Sequence, residues 1–216
     1  MKHIIKKLLR ENLLGETMLT SKNLPIETAL FQKDNRISLV LYDPMTNKSY
    51  GVISASLRGQ NFDVDKVAAE DGFGPYIYEM AMMMASTKGK GLMPARKGDV
   101  RSEALNVWVK FYDRPDVNKT NIAPFDASGK WNPEFSVALY TGSNDTFENP
   151  EEYEEWLSEI NPETQELIKK YNTVYSMQPN DDFKEMLGRG QNYIKKGFNP
   201  IKAFKSGSDL FFSKYD

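Results

Sequence analysis

The chain has 216 residues, 40% of them hydrophobic and 12% aromatic, enough to pack one domain with an extension or two small domains. Its 28 Lys and Arg against 30 Asp and Glu leave a formal charge of -2, so nucleic acid is not the partner expected of the molecule as a whole. With no cysteine and one histidine, His3, it lacks disulfides, thiol nucleophiles, cysteine-based or multi-histidine metal sites and Ser-His-Asp triads, which leaves Asp, Glu, Tyr and Lys as candidate acids and bases.

The start is a basic amphipathic helix. Ile4, Ile5, Leu8 and Leu9 fall within an arc of roughly 140° at helical spacing, with Lys6, Lys7 and Arg10 opposite and Gly15 as its end. Such a helix docks on its own domain, docks on a larger assembly, or lies on a membrane surface. Lys6 and Lys7 interrupt what would be the apolar region of a signal peptide, and the densest apolar run, Met80 to Ala85, is far short of the roughly 18 residues of a membrane span. Residence in a cytoplasm is therefore expected.

Arg36–Asp43 and Ser49–Arg58 are rich in strand formers and are separated by turn chemistry at Asp43-Pro44-Met45-Thr46-Asn47-Lys48, which predicts an antiparallel hairpin. Phe62, Val64 and Val67 suggest a third strand, ending at Gly72-Phe73-Gly74-Pro75. Tyr76–Thr87 follows as a helix with proline in its first turn, then a short strand-like Gly91–Pro94. Asp99–Tyr112 is a second helix, capped by Ser102 or Asp99, with Val100, Ala104, Val107, Trp108 and Phe111 at helical spacing. Phe135–Thr141 resembles another strand. The order predicts an α+β fold with a mostly antiparallel twisted sheet and packed helices.

Beyond Asn149 the composition changes. Nine acidic residues from Asp145 to Glu166 occur with no Lys or Arg among them, and from Lys184 to Lys205 six basic residues face one acidic residue, Glu185. Pro150 and Pro162 each open a helical pattern, giving Glu151–Ile160 and Glu163–Tyr171, with further helical pieces around Phe183–Leu187 and Pro200–Phe212. The expected organisation is a helix at 1–15, an α+β domain at 16–148 and a charged C-terminal helical extension at 149–216. The basic segments 2–14 and 184–205 are the candidate surfaces for a protein partner.

The junction Glu70-Asp71-Gly72-Phe73-Gly74-Pro75 lies where a strand gives way to a helix, a geometry that aims backbone N–H groups at a phosphate or simply makes a tight turn. Glu70 and Asp71 add negative charge there, and Pro75 removes a donor. Asp63, Asp65, Glu70 and Asp71 read as surface carboxylates, lacking the glycine and terminal glutamate of a calcium loop. Met80, Met82, Met83 and Met84 read as core filling for a helix on a sheet, or else as the lining of an acyl tunnel.

With Ala69-Glu70-Asp71-Gly72-Phe73-Gly74 in the place of a Gln/Arg-x-x-Gly-x-Gly/Ala loop, and Arg101 to Trp108 in the place of Asn-x-x-Ala-x-x-x-Tyr, residues 36–141 resemble a divergent member of the GNAT acetyltransferase superfamily. In that family a central strand leads through the loop into a helix, a strand and a second helix, and the loop amides bind the pyrophosphate of acetyl-CoA. The resemblance implies an acyl-CoA-dependent N-acyltransferase, with acetyl-CoA held by Gly72, Phe73 and Gly74 and its phosphates met by Arg96 and Lys97. Ala69, Arg101 and Trp108 depart from the pattern. Trp108 replaces the tyrosine that protonates the departing thiolate, so Tyr112, one turn on, becomes the candidate acid, and Glu79 and Glu103 are candidate bases. The sequence from Pro94 to Val117 also resembles phage-encoded proteins, which gives the alternative of a non-catalytic structural or host-interaction protein on a degenerate scaffold.

Overall fold

A computed structural model describes residues 27–33, 35–43, 48–70, 72–96, 100, 102–141, 145–185 and 187–188. The helix expected at 1–15, the segment from 189 onward, and Lys97 therefore lie outside the described residues.

The fold is α+β, built on a seven-stranded mixed sheet. In chain order the elements are β1 (Glu27–Lys33), β2 (Arg36–Asp43), β3 (Lys48–Arg58), β4 (Asn61–Ala69), α1 (Gly74–Ser86), β5 (Leu92–Met93), α2 (Ser102–Asp113), β6 (Asn118–Asn121), α3 (Ala138–Thr141), α4 (Pro150–Ser158), α5 (Pro162–Tyr171) and β7 (Thr173–Ser176). Their order in the sheet is β1-β2-β3-β4-β5-β7-β6, antiparallel throughout except for β4 and β5. The expected hairpin is β2–β3, paired from Arg36↔Ser56 to Asp43↔Lys48.

Two sequence expectations change. Phe135–Thr141 is not a strand; residues 138–141 form the short helix α3, and Phe135, Ser136 and Val137 are buried without a strand neighbour. Asn172 supplies what a strand would have given, its side chain accepting from the Ser136 N–H at 2.8 Å and donating to the Ser136 carbonyl at 2.8 Å. The residues expected to form a wholly helical extension also contribute β7, which lies between β5 and β6 in the sheet.

α1 is buried all round, from Tyr76 to Ala85. One side meets Ile37, Leu39, Leu41, Ile53, Ala55, Phe62 and Val64 of the sheet, and the same core includes Trp108 and Phe111 of α2 with Phe183. A helix with no polar stripe is stable only where it is covered on every side, and the methionines fill that enclosure. A second cluster joins Phe135, Val137, Tyr153, Ile160 and Ile168, with Trp131, Phe147 and Trp156 against it. The acidic helix α4 turns Tyr153 into this cluster and its glutamates outward. Asn149 and Asn161 cap α4 and α5 by accepting from Glu152 and Thr164 N–H groups, each at 2.9 Å.

Candidate active site

The parallel strands β4 and β5 form a fork. They pair only at Phe62↔Leu92 and Asp63↔Met93. Pro94 then follows β5 and cannot donate to a ladder, while on β4 the register against β3 slips between Ser54↔Lys66 and Ala55↔Val64, leaving Asp65 as the extra residue of a bulge. A bulge bends its strand and increases its twist, so β4 continues to Ala69 paired with β3 but without a β5 neighbour.

At the far end of β4 the chain turns through Gly72 into α1. The Phe73 N–H donates to the Glu70 carbonyl at 3.0 Å, and Gly72 takes φ 90°, in the left-handed region that favours glycine. Phe73 precedes α1 without a side-chain cap, and a Cβ built on Gly74 meets nothing within 4 Å, so this helix start borders open space. Phe73 itself is buried, its ring centroid 5.0 Å from that of Tyr50. Of the three residues expected at the loop, Gly72 shapes the turn, Gly74 borders open space and Phe73 belongs to the core.

Arg96, the residue implied to meet CoA phosphates, is partly buried after β5. Its Nη1 donates to Asn172 Oδ1 at 2.6 Å, its guanidinium lies 5.6 Å from the Tyr171 ring centroid, and the Tyr171 hydroxyl donates to the neighbouring Ala95 carbonyl. Nε is buried and has no acceptor. Burial draws its pKa below the usual arginine value against the opposing field of Asp63.

Asp63, read from the sequence as a surface carboxylate, is instead buried. Phe62 and Val64 belong to the core around α1, so Asp63 projects to the other side of the sheet, where it is 3% exposed. Arg58 Nε lies 3.5 Å from it. Burial pushes its carboxyl up to about 6, against the lowering effects of Arg96 and Arg58 and with the smaller help of Glu134 and Asp65. Among four acids between residues 63 and 71, sequence offers no sign that this one is enclosed.

The other expected residues do not gather at the fork. Glu79, on α1, accepts from Arg114, which also holds Asp116 through Nε at 2.9 Å and Nη2 at 2.5 Å. Burial raises the Glu79 pKa although Arg114 opposes it. Glu103 is in the first turn of α2. Tyr112, half-buried near the end of α2, has the ammonium groups of Lys170, Lys169 and Lys119 at 5.1, 5.8 and 5.9 Å from its ring centroid. Trp108 is buried among Tyr78, Phe111 and Tyr175. Among the described residues no group of carboxylates or histidine could hold a metal ion, and no helix is long and apolar enough to cross a membrane.

No protein-family model, curated protein or solved structure matches the chain. Where β4 and β5 part lie a buried acid of raised pKa and a part-buried guanidinium whose Nε has no acceptor; at the far end of β4 lies the start of α1, without a side-chain cap.

Proposed function

We propose that the protein binds an acyl-CoA, acetyl-CoA being the simplest, and transfers its acyl group to an amine as a GNAT-like N-acyltransferase. The fork carries this reading: two parallel strands part after two residue pairs, and the longer one ends in a Gly-x-Gly turn that starts a helix. The connectivity β4, turn, α1, β5, α2 is the order that the resemblance implies.

The open space at Gly74 and the missing cap suit a phosphate, whereas Pro75 and Glu70 limit how strongly it is held. Bound there, acyl-CoA supplies an acyl group already activated as a thioester. Asp63 replaces Glu79 and Glu103 as the proposed base, because a carboxylate with a pKa near 6 takes a proton more readily than an ordinary aspartate. It accepts the proton released as the amine nitrogen bonds to the acyl carbon and the carbon–sulfur bond breaks. Tyr112, the acid implied by the resemblance, lies apart from the fork beside Lys119, Lys169 and Lys170, so the departing sulfur takes its proton from water.

A second reading, a non-catalytic phage structural or host-interaction protein, is favoured by the core packing of Phe73 and Trp108, which makes the turn serve the fold alone. Under either reading we place the protein in a bacterial cytoplasm or, if viral, in a particle.

Thermal unfolding with and without millimolar acetyl-CoA separates the two. Acetyl-CoA is expected to raise the midpoint of the wild type. Gly74→Asp places a carboxylate where it favours the helix dipole by about 0.3–1 kcal/mol, so the variant folds at least as well, yet it repels a pyrophosphate. The acyltransferase reading fails if acetyl-CoA leaves the wild-type midpoint unchanged, or raises that of Gly74→Asp equally.

A further inference from the structure

We propose that the basic amphipathic segment 2–14 of this chain docks on the second face of the β2–β4 meander, with Ile4, Ile5, Leu8 and Leu9 against the sheet and Lys6, Lys7 and Arg10 toward water. The inference holds under either reading of the function.

It starts from a sheet that is buried on both sides. α1 covers one face, packing against Leu39 and Leu41 of β2 and Ile53 of β3. Strand alternation turns Val40, Tyr42, Val52 and Ser54 to the opposite face, where Val40 pairs with Val52 and Ser38 with Ser54. These residues are as enclosed as the first set: Val40 and Tyr42 are 0% exposed, Val52 3% and Ser54 5%. A tyrosine on an uncovered sheet keeps much of its ring in water, so a second layer lies over this face. Neither apolar cluster of the described residues includes Val40, Tyr42 or Val52. The loop before α3 meets the sheet at the other end of the strands, where Glu134 accepts from the Gln60 N–H at 2.9 Å in the β3–β4 turn. The stretches outside the described residues that are long enough to form the cover are 1–26 and 189–216.

Of these two, the first has the matching shape. An apolar arc of roughly 140° with charges opposite is the pattern of a helix with a sheet on one side and water on the other. A helix over 2–14 is about 20 Å long and about 10–12 Å across. Three strands span about 10 Å, and the eight residues of β2 run about 26 Å, so one such helix covers most of the face. Residues 15–26 then lead into β1, which is the sheet neighbour of β2. The C-terminal stretch sets out from the α1 side instead, because Phe183 and Leu187 pack into that core, and Gly197 and Pro200 interrupt its helical pattern.

The experiment uses the full chain with photo-leucine in place of leucine. Irradiation is expected to join Leu8 or Leu9 to residues 36–58, within single copies when light and heavy chains are mixed, while links from Leu39 and Leu41 to α1 report the intact fold. A second measurement exploits the absence of native cysteine. Ser54→Cys is expected to react with a maleimide at least about tenfold more slowly than in the unfolded chain, to lose that protection when Ile5→Asp and Leu8→Asp are added, and to keep it with Lys6→Asp and Lys7→Asp. Should the Ile5→Asp, Leu8→Asp chain not fold, the photo-links decide. The docking is overturned if links to residues 36–58 come from Leu210 and not from Leu8 or Leu9, if they join only different copies, if Ser54→Cys reacts fast in the otherwise unaltered chain, or if the lysine changes open the face as much as the apolar ones.

Discussion

Replacing Asp63 with asparagine removes one ionisable proton and almost no volume, so its effect on stability isolates the cost of burying that charge. The folded carboxyl titrates at about 6 against 3.8 in an unconstrained chain. A folded pKa above the unfolded one means that between about pH 4 and 6 the unfolded chain gives up its proton first, so stability falls as pH rises through that window. Below it both states are protonated and the group contributes nothing. At about 1.36 kcal/mol per pKa unit the full effect is at most about 3 kcal/mol, and local relaxation and water penetration around a buried charge reduce it to about 1–2 kcal/mol. Asp63→Asn is therefore expected to match the wild type near pH 4 and to exceed it by about 1–2 kcal/mol at pH 8, in urea unfolding with an unchanged slope. The same variant is expected to lose acyl transfer by about 100-fold or more. Equal stabilities at both pH values, or an asparagine variant weaker at pH 8, would refute the account of Asp63 as an acid strained by burial.

The remaining predictions concern packing and the turn. Gly72→Ala is expected to cost about 1–2 kcal/mol because alanine resists φ 90°, whereas Gly74→Ala, whose Cβ enters open space at a helix start, is expected to be neutral or slightly stabilising; paired denaturant titrations check both. Trp108→Ala empties the space between Tyr78, Phe111 and Tyr175 and is expected to cost about 3–5 kcal/mol in chemical denaturation, with Trp108→Phe recovering part of it. Glu79→Ala leaves Arg114 with only Asp116 and is expected to cost about 3 kcal/mol without changing any acetyl-CoA affinity measured on folded protein, since the pair lies apart from the fork.

Legibility in the sequence follows locality. The β2–β3 hairpin, α1 and the proline-opened helices α4 and α5 announce themselves by alternation, by helix formers and by caps within a few residues. β6, Asn118–Asn121, has four exposed residues and no apolar pattern; it is a strand because β7 pairs with it more than 50 residues later in the chain. Phe135–Val137 has strand composition but no strand beside it, and the Asn172 side chain that takes its backbone bonds is 36 residues away. The Gly72 turn was visible as a motif, but the functional weight shifts to Asp63. Asp63 sits between two core residues, where simple alternation assigns a polar residue to water, and only a sheet buried on that side as well makes it an acid of raised pKa. Arg96 next to Lys97 has the look of a solvated loop pair, and its partial burial depends on Tyr171 and Asn172, which arrive through α5.

β5 is two residues long, and its ladder contacts are two pairs toward β4 and one toward β7. A load drawing the β1–β4 meander away from the β6–β7 ribbon therefore concentrates on very few rungs, with Met93 at the tip of the crack that the fork already opens. Trp108 is the tie across this seam, touching Tyr78 of α1 and Tyr175 of β7 at once. Pulled apart mechanically, the molecule should yield in two steps, the ribbon tearing free at low force once Trp108 slips and the four-stranded meander holding to a higher one.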